Sequence, residues 1–302
     1  MSALTISKSL TIYSSTGATY TGNITTTKIL RLGLKDSYGM NIVGGVTITK
    51  ETSNISLFMY GATITNTGTA IKLVGANITL QILQGSIVRS TGGLVSAILS
   101  DDDADSQVIN IKEKSRVEAT GDFSTAIQCY SSQTATKNRI SIYDSTVYGS
   151  QYGIKYSTNL KVYDSSSVEG GIYSTVDCAI TMRQGATFIK PIFYDSDFLI
   201  HSTTIDMETD ANDAIFDVEI LDFTKVNEIN IRCTSAITQD HTIKFDSNGS
   251  NGIYYLYSST SEAIRDSMFD HVTLVDTYNA LKPNATQGKY TKDSTYYGML
   301  YL

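Results

Sequence analysis

The sequence predicts an all-β chain wound as a single-stranded solenoid of short parallel strands, and three observations carry that prediction. The composition favours strands. A dipeptide of a small residue and isoleucine recurs along most of the chain. Two strand-like patches ahead of each dipeptide keep a nearly fixed spacing.

Composition comes first. The 302 residues include 39 Thr, 35 Ser, 33 Ile and 20 Tyr, with 2 Pro and no Trp. Thr, Ile and Tyr suit a pleated surface and Pro does not. Charged residues make up 18% of the chain, below the roughly 25% of an average globular protein. An apolar content of 41% is too high for a disordered chain. The net charge of −7 argues against a nucleic-acid binder that works through basic phosphate contacts. A chain this long can build its own core without staples.

The dipeptide appears at Ala70-Ile71, Ala97-Ile98, Ala126-Ile127, Gly153-Ile154 and Gly171-Ile172, with Pro191-Ile192 as a variant. It continues at Ala214-Ile215, Ala236-Ile237, Ala263-Ile264, Ala280-Leu281 and Gly298-Met299, and Asn41-Ile42 reads as an early degenerate copy. The mean interval is about 23 residues, which predicts about 11–12 turns, or rungs, of a repeat architecture.

Within each turn an alternating apolar pair comes first, as in Leu80-Gln81-Ile82, Ile109-Asn110-Ile111 and Ile140-Ser141-Ile142. A small residue, any residue and an apolar one follow, as in Ser86-Ile87-Val88, Ser115-Arg116-Val117 and Ser145-Thr146-Val147. Tight spacing here and loose spacing around the dipeptide predict one fixed corner and variable loops elsewhere. Alternation sends Ile, Val and Leu inward and Ser, Thr, Lys or Tyr outward. Strands this short are stable only when stacked on equivalents from the next copy. A β-sandwich does not predict so many copies of one motif, and a propeller blade needs about twice the period.

With these patterns in place, the chain from residue 41 to 302 resembles the right-handed parallel β-helix superfamily. That group includes pectate-lyase-like enzymes, phage tailspike shafts and surface adhesins. The right hand is implied by the resemblance alone. Residues 1–40 fit the repeat less well and are expected to form an N-terminal cap or a first irregular rung, ahead of one continuous helical domain over 41–302.

Fold does not fix function in such a scaffold, so the chemistry-bearing residues are weighed one by one. The acidic run Asp101, Asp102, Asp103 and Asp105 falls in a loop and could attract a hard cation such as Ca²⁺, but lacks the spaced ligand pattern of a calcium loop. A second acidic stretch holds Asp206, Glu208, Asp210, Asp213, Asp217 and Glu219. Glycoside hydrolysis needs two facing carboxylates, for which Asp195, Asp217 and Asp222 are the weak candidates. Of the motifs that the resemblance implies for polygalacturonases, only the Asp-Asp pair at Asp101-Asp102 is present; Asn-Thr-Asp, His-Gly and Arg-Ile-Lys are missing. The pectate-lyase pairing of an Asp cluster with an Arg base is not evident either.

His201, His241 and His271 fall in different rungs, and no Gly-x-Ser-x-Gly elbow exists to build a nucleophile around them. Cys129, Cys178 and Cys233 form no Cys-x-x-Cys and read as buried small hydrophobes. Tyr-Asp-Ser recurs at Tyr143, Tyr163 and Tyr194 and reads as a repeated corner turn with the Tyr outward, or as an aromatic ladder for glycans. Thr-x-Thr pairs such as Thr63/Thr65 could bind ice only on flat, uniform rungs, which the variable intervals oppose.

No cofactor, metal or catalytic set is therefore expected. The expectation is a non-catalytic structural or adhesive protein, a subunit of a virion (tail, fibre or capsid accessory) or of an extracellular surface assembly. The alternatives are a tailspike-like polysaccharide depolymerase and a glycan-binding adhesin. Partners are expected to be further copies or another structural protein, with a surface glycan as a further option and no nucleic acid. The apolar end, Tyr296, Tyr297, Met299, Leu300, Tyr301 and Leu302, should be covered, either by folding onto the last rung or by meeting another chain. The first residues hold no secretory signal and no apolar run reaches the ~20 residues of a membrane span. The chain is then expected to be cytosolic, carried in a virion, or secreted without a cleaved signal.

Overall fold

A computed structural model describes residues 2–50, 54–100, 107–129, 138–156, 159–163, 166–170, 172–174, 178–182, 187–189, 192–194, 201–207, 218–221, 226–233, 241–245, 253–258, 261–276, 280–281, 290–292 and 295–301, with side chains up to Tyr173 and at several positions of the one helix. The chain forms two compact units, one of residues 1–159 with 168–170 and one of residues 160–167 with 171–302.

The first unit is a parallel solenoid in which each turn contributes a strand to three faces. The first face stacks Leu10–Ile12, Leu30–Leu32, Ile55–Tyr60, Ile78–Leu83, Val108–Ile111 and Arg139–Tyr143, all in parallel register. The second stacks Asn41–Val43, Thr63–Asn66, Ile87–Ser90, Arg116–Ala119 and Thr146–Gly149. The third runs through Ser2–Ile6, the end of Thr19–Thr26, Val46–Thr49, Ile71–Val74, Ser96–Ser100, Thr125–Gln128 and Tyr152–Lys155. The parallel stacking already includes the first 40 residues. Their irregularity lies in Thr19–Thr26, which pairs with Asn41–Val43 at one end and with Val46–Thr49 at the other.

Alternation along each strand produces columns of like residues inside. Leu30, Leu57, Leu80, Ile109 and Ile140 stack in register on the first face, and all are buried. Ile42, Ile64, Val88, Val117 and Val147 do so on the second, and Ile24, Val46, Ile71, Ile98, Ile127 and Ile154 on the third. Each fully buried side chain of this size contributes about 1.5–3 kcal/mol. β-branched residues fit the columns because their restricted χ1 costs little in a strand.

The fixed spacing between the first and second patches is a corner built on serine. Ser86 Oγ donates to the Leu83 carbonyl at 2.5 Å, Ser115 Oγ to that of Lys112 at 2.6 Å and Ser145 Oγ to that of Tyr143 at 2.7 Å. Two of these oxygens also accept from the turn before: Ala62 N–H donates to Ser86 Oγ at 3.0 Å and Ser115 N–H to Ser145 Oγ at 3.2 Å. The corner needs left-handed backbone, taken by Gly61, Gln84, Gly85, Glu113, Lys114 and Asp144. The Tyr-Asp-Ser reading as a corner turn therefore holds at Tyr143. Tyr163 is buried, 3% exposed, rather than outward, and Tyr194-Asp195-Ser196 lies mostly outside the described residues.

The corner between the second and third faces depends on close backbone approach. A Cβ added to Gly92 would sit 2.0 Å from the Thr67 carbonyl oxygen, and one added to Gly121 would sit 2.1 Å from that of Gly92. Only glycine permits this spacing.

In the second unit parallel pairing links Cys178–Met182, His201–Met207, Val226–Cys233 and Ile253–Ser258 in one series. A second series links Ile172–Ser174, Ile192–Tyr194, Val218–Leu221, His241–Phe245 and Val272–Asp276. The order then changes. Ala280–Leu281 pairs antiparallel with Val272–Asp276, Thr295–Tyr301 antiparallel with Ile253–Ser258, and Tyr290–Lys292 antiparallel with Thr295–Tyr301. These pairings cover edges that would otherwise stay open.

Several expected copies of the dipeptide are corrected here. Ala263-Ile264 lies in the α-helix Glu262–His271, not in a strand. Glu262 in the first turn and His271 in the last suit the helix dipole, and Ile264 and Met268 stand at helical spacing. Ala280-Leu281 and Gly298-Met299 are in antiparallel strands, not in stacked rungs. Ile42 pairs with Ile64, so it belongs to the second face rather than to the column of Ile71. Ala214-Ile215 and Ala236-Ile237 lie outside the described residues, and the register instead passes through Ile220 and Phe245.

Candidate functional site

Outward-facing groups in the first unit gather at three places. The first is a depression on the corner between the first and second faces. The residues after Leu30–Leu32 bulge as a longer loop, and this loop, the Tyr60-Gly61 corner and Gln84 line an open depression of about 210 Å³ in which polar Asp36, Ser37 and Gln84 stand beside Leu34, Tyr38 and Tyr60. Gln84 holds the loop at two points. Asp36 N–H donates to Gln84 Oε1 at 3.2 Å, and Gln84 Nε2 donates to Asp36 Oδ1. The Gln84 backbone N–H in turn donates to Glu113 Oε2 at 3.1 Å. Tyr38 stacks on Tyr13, with ring centroids 6.1 Å apart, and Leu34, Tyr38 and Tyr13 are all exposed.

The second is a pair of apolar knobs on the opposite side of the second face. Leu94 and Phe123 occupy equivalent positions one turn apart, since Ser96 is in register with Thr125 and Leu94 N–H donates to the Asp122 carbonyl at 2.8 Å. Leu94 is 81% exposed and Phe123 67%. Both have left-handed backbone, φ 60° and 52°, a conformation that bulky residues rarely take and that costs about 1–3 kcal/mol each.

The third is an ion cluster on the second face. Glu118 is 4% exposed although it alternates with the inward Val117 and Ala119. It receives Arg89 Nη2 and Nε at Oε2, both at 2.7 Å, and Arg116 Nη2 at Oε1, at 2.6 Å. The cluster neutralises its own carboxylate, so it reads as a brace between turns. Cation–π contacts brace neighbouring turns likewise: Arg31 lies over Phe58 at 5.2 Å and Lys112 over Tyr143 at 4.6 Å.

The residues singled out from sequence fall elsewhere. Asp101, Asp102, Asp103 and Asp105 lie outside the described residues, as do Asp195, Asp217 and Asp222, and Glu208, Asp210 and Asp213 with them. Asp206 is on His201–Met207 and Glu219 on Val218–Leu221. Tyr296, Tyr297, Met299, Leu300 and Tyr301 lie on the strand Thr295–Tyr301, and Leu302 is outside the described residues. His201 and His241 open strands and His271 closes the helix. Among the described residues no three His, Cys, Asp or Glu side chains stand together as a metal site, and no helix is long and apolar enough to cross a membrane. Cys129 is a buried free thiol, as expected.

The chain matches no known family model, no curated protein and no solved structure.

The knobs and the depression were not among the sequence candidates. A signal for the knobs does exist: Gly93-Leu94 and Asp122-Phe123 place a large apolar residue where a tight corner calls for Gly or Asn.

Proposed function

We propose that this chain is a non-catalytic scaffold: a right-handed parallel β-helix of about 11–12 rungs that serves as a structural or adhesive subunit of a virion or of an extracellular surface assembly. The observation that carries the reading is the uniformity of the first unit. Turn after turn repeats the same three faces, with in-register columns of Ile, Leu and Val inside and braces between turns outside. Such construction gives a stiff element whose surface is set by outward residues. The strand Thr295–Tyr301 carries five of the six apolar residues of the C-terminus, and in this reading their outer side meets a neighbouring subunit.

Electron micrographs of the protein in its native particle or surface layer test the proposal. Density that fits the solenoid of the first unit within a repeating structure is the expected result. Turnover of a polysaccharide by the purified chain would replace the scaffold reading with the depolymerase.

A further inference from the structure

The open depression beside Gln84 joins two surfaces of different chemistry: the face of an aromatic ring, and polar side chains with bonding capacity to spare. We infer that it binds one neutral hexopyranose ring, the end of a glycan chain, with the C–H face of the sugar on Tyr60 and its hydroxyls on Asp36 and Gln84. The site belongs to the adhesive form of the scaffold reading, on which it rests.

The Tyr60 ring owes its free face to Gly33. It runs parallel to the Phe58 ring, with 4° between the planes and centroids 6.3 Å apart, so both rings face the same way. Phe58 is covered from the turn before by its register partner Arg31. One residue further along both strands, Tyr60 meets Gly33, which has no side chain. A Cβ there would sit 2.0 Å from the Tyr60 carbonyl oxygen. Nothing from Gly33 therefore covers Tyr60, which lines the depression. The π-face of such a ring carries the negative part of its quadrupole and attracts the C–H groups on the flat side of a sugar.

The polar side is only partly used. Gln84 Nε2 donates to Asp36 Oδ1, and Gln84 Oε1 accepts from Asp36 N–H. A carboxamide has two N–H donors and a carboxylate about four acceptor sites. The second Nε2 hydrogen and the Asp36 Oδ2 oxygen thus have no partner among the described residues. One donor beside one acceptor matches adjacent sugar hydroxyls, each of which can both donate and accept. The Ser37 hydroxyl also lines the depression. An apolar occupant would leave these groups unpaired and desolvated, which is costly.

Size and charge narrow the ligand. About 210 Å³ is below the roughly 300 Å³ at which pockets for drug-sized ligands begin, and suits one sugar ring. Asp36 is the one charged residue that lines it among the described residues, and Glu113 approaches Gln84 from the next turn. Both are carboxylates, so acidic sugars are disfavoured. The loop is already set. Leu34 N–H donates to the Tyr38 carbonyl at 2.5 Å, Ser37 N–H to that of Leu34 at 3.0 Å, and Tyr38 stacks on Tyr13. Binding then costs little ordering.

Saturation-transfer NMR on the full chain tests this with the methyl glycosides of glucose, galactose and mannose, and with N-acetylneuraminic acid as the acidic comparison. At least one hexoside is expected to bind, with a Kd of about 1–10 mM for a single ring in an open site. Asp36→Gly keeps the left-handed backbone of that position and removes the carboxylate. It should weaken binding roughly tenfold or more, the size of one charge-assisted hydrogen bond. Tyr60→Leu should do the same by removing the ring face, and Phe123→Gly, away from the depression, should change nothing. Thermal unfolding checks each variant, and if Tyr60→Leu does not fold, Asp36→Gly decides alone. The inference is overturned if no hexoside binds, if Asp36→Gly binds like the wild type, or if N-acetylneuraminic acid binds as tightly as the best hexoside. The scaffold reading survives each of these results, because micrographs test it separately. If the wild type instead shortens an oligosaccharide of the bound hexose, the scaffold reading falls and the sugar site stands.

Discussion

Ser86 illustrates what one side chain contributes at a corner. Its hydroxyl donates within its own turn and accepts the buried Ala62 N–H of the turn before. In Ser86→Ala that N–H loses its acceptor, and a buried donor without a partner costs about 1–3 kcal/mol. Denaturant unfolding should show a loss in that range, and a loss no larger than that of an exposed Ser→Ala would contradict the corner account. Cys129 is a second case. Burial pushes its thiol from the usual 9.0 up to about 12, so the folded chain keeps a proton that the unfolded chain releases. Its contribution to stability is therefore complete below pH 9 and is lost as the pH rises from 9 towards 12. In a Cys178→Ser/Cys233→Ser background a thiol reagent at neutral pH should label Cys129 only after denaturant is added. Rapid labelling of the folded chain would show that the thiol is reachable. The corner serines were legible in the sequence because their chemistry is local and repeats. The exposure of Leu94 and Phe123 was less so, because it depends on left-handed backbone at two corners, and its one local sign is a large apolar residue standing where such a corner calls for Gly or Asn.

At the scale of the element, the columns and the close glycine approach make separate predictions. Ile64 sits in the second-face column between Ile42 and Val88 and is fully buried. Ile64→Ala removes buried methyl groups from a site that relaxes little, at a cost of about 2–5 kcal/mol by chemical denaturation. Gly121→Ala forces a Cβ against the Gly92 carbonyl and should cost about 1–3 kcal/mol through displaced backbone. An Ala tolerated there without loss would mean that the turns are not so closely stacked. Strand identity in the first unit was readable because period-2 alternation and the Ser and Gly corners agree. The reading failed where one cue stood alone. Ala263-Ile264 matched the dipeptide and follows the strand Ile253–Ser258, but the residues between them offer no small residue followed at the second place by a large apolar one. Ser261, Glu262 and the Ile264/Met268 spacing instead favour a helix. Ala280-Leu281 and Gly298-Met299 kept the dipeptide, yet a dipeptide does not encode strand direction.

At the scale of the whole molecule, stacked turns make stability close to a sum of turn and neighbour terms. What the solenoid presents outward then decides its use. The parallel stacking came from the sequence as a whole, through its repeats, and was legible without any single residue. The depression was not, because Leu34, Tyr60 and Gln84 come from three successive turns and meet only through the register. That register is the claim on which everything else depends. It is tested most directly by placing spin labels at Asn110 and Ser141, outward register partners on adjacent strands, in a chain whose cysteines are replaced by alanine. Parallel stacking holds these backbones about 4.8 Å apart, so the doubly labelled chain should show strong spin–spin broadening that each singly labelled chain lacks. A doubly labelled spectrum equal to the sum of the two single ones would contradict the solenoid.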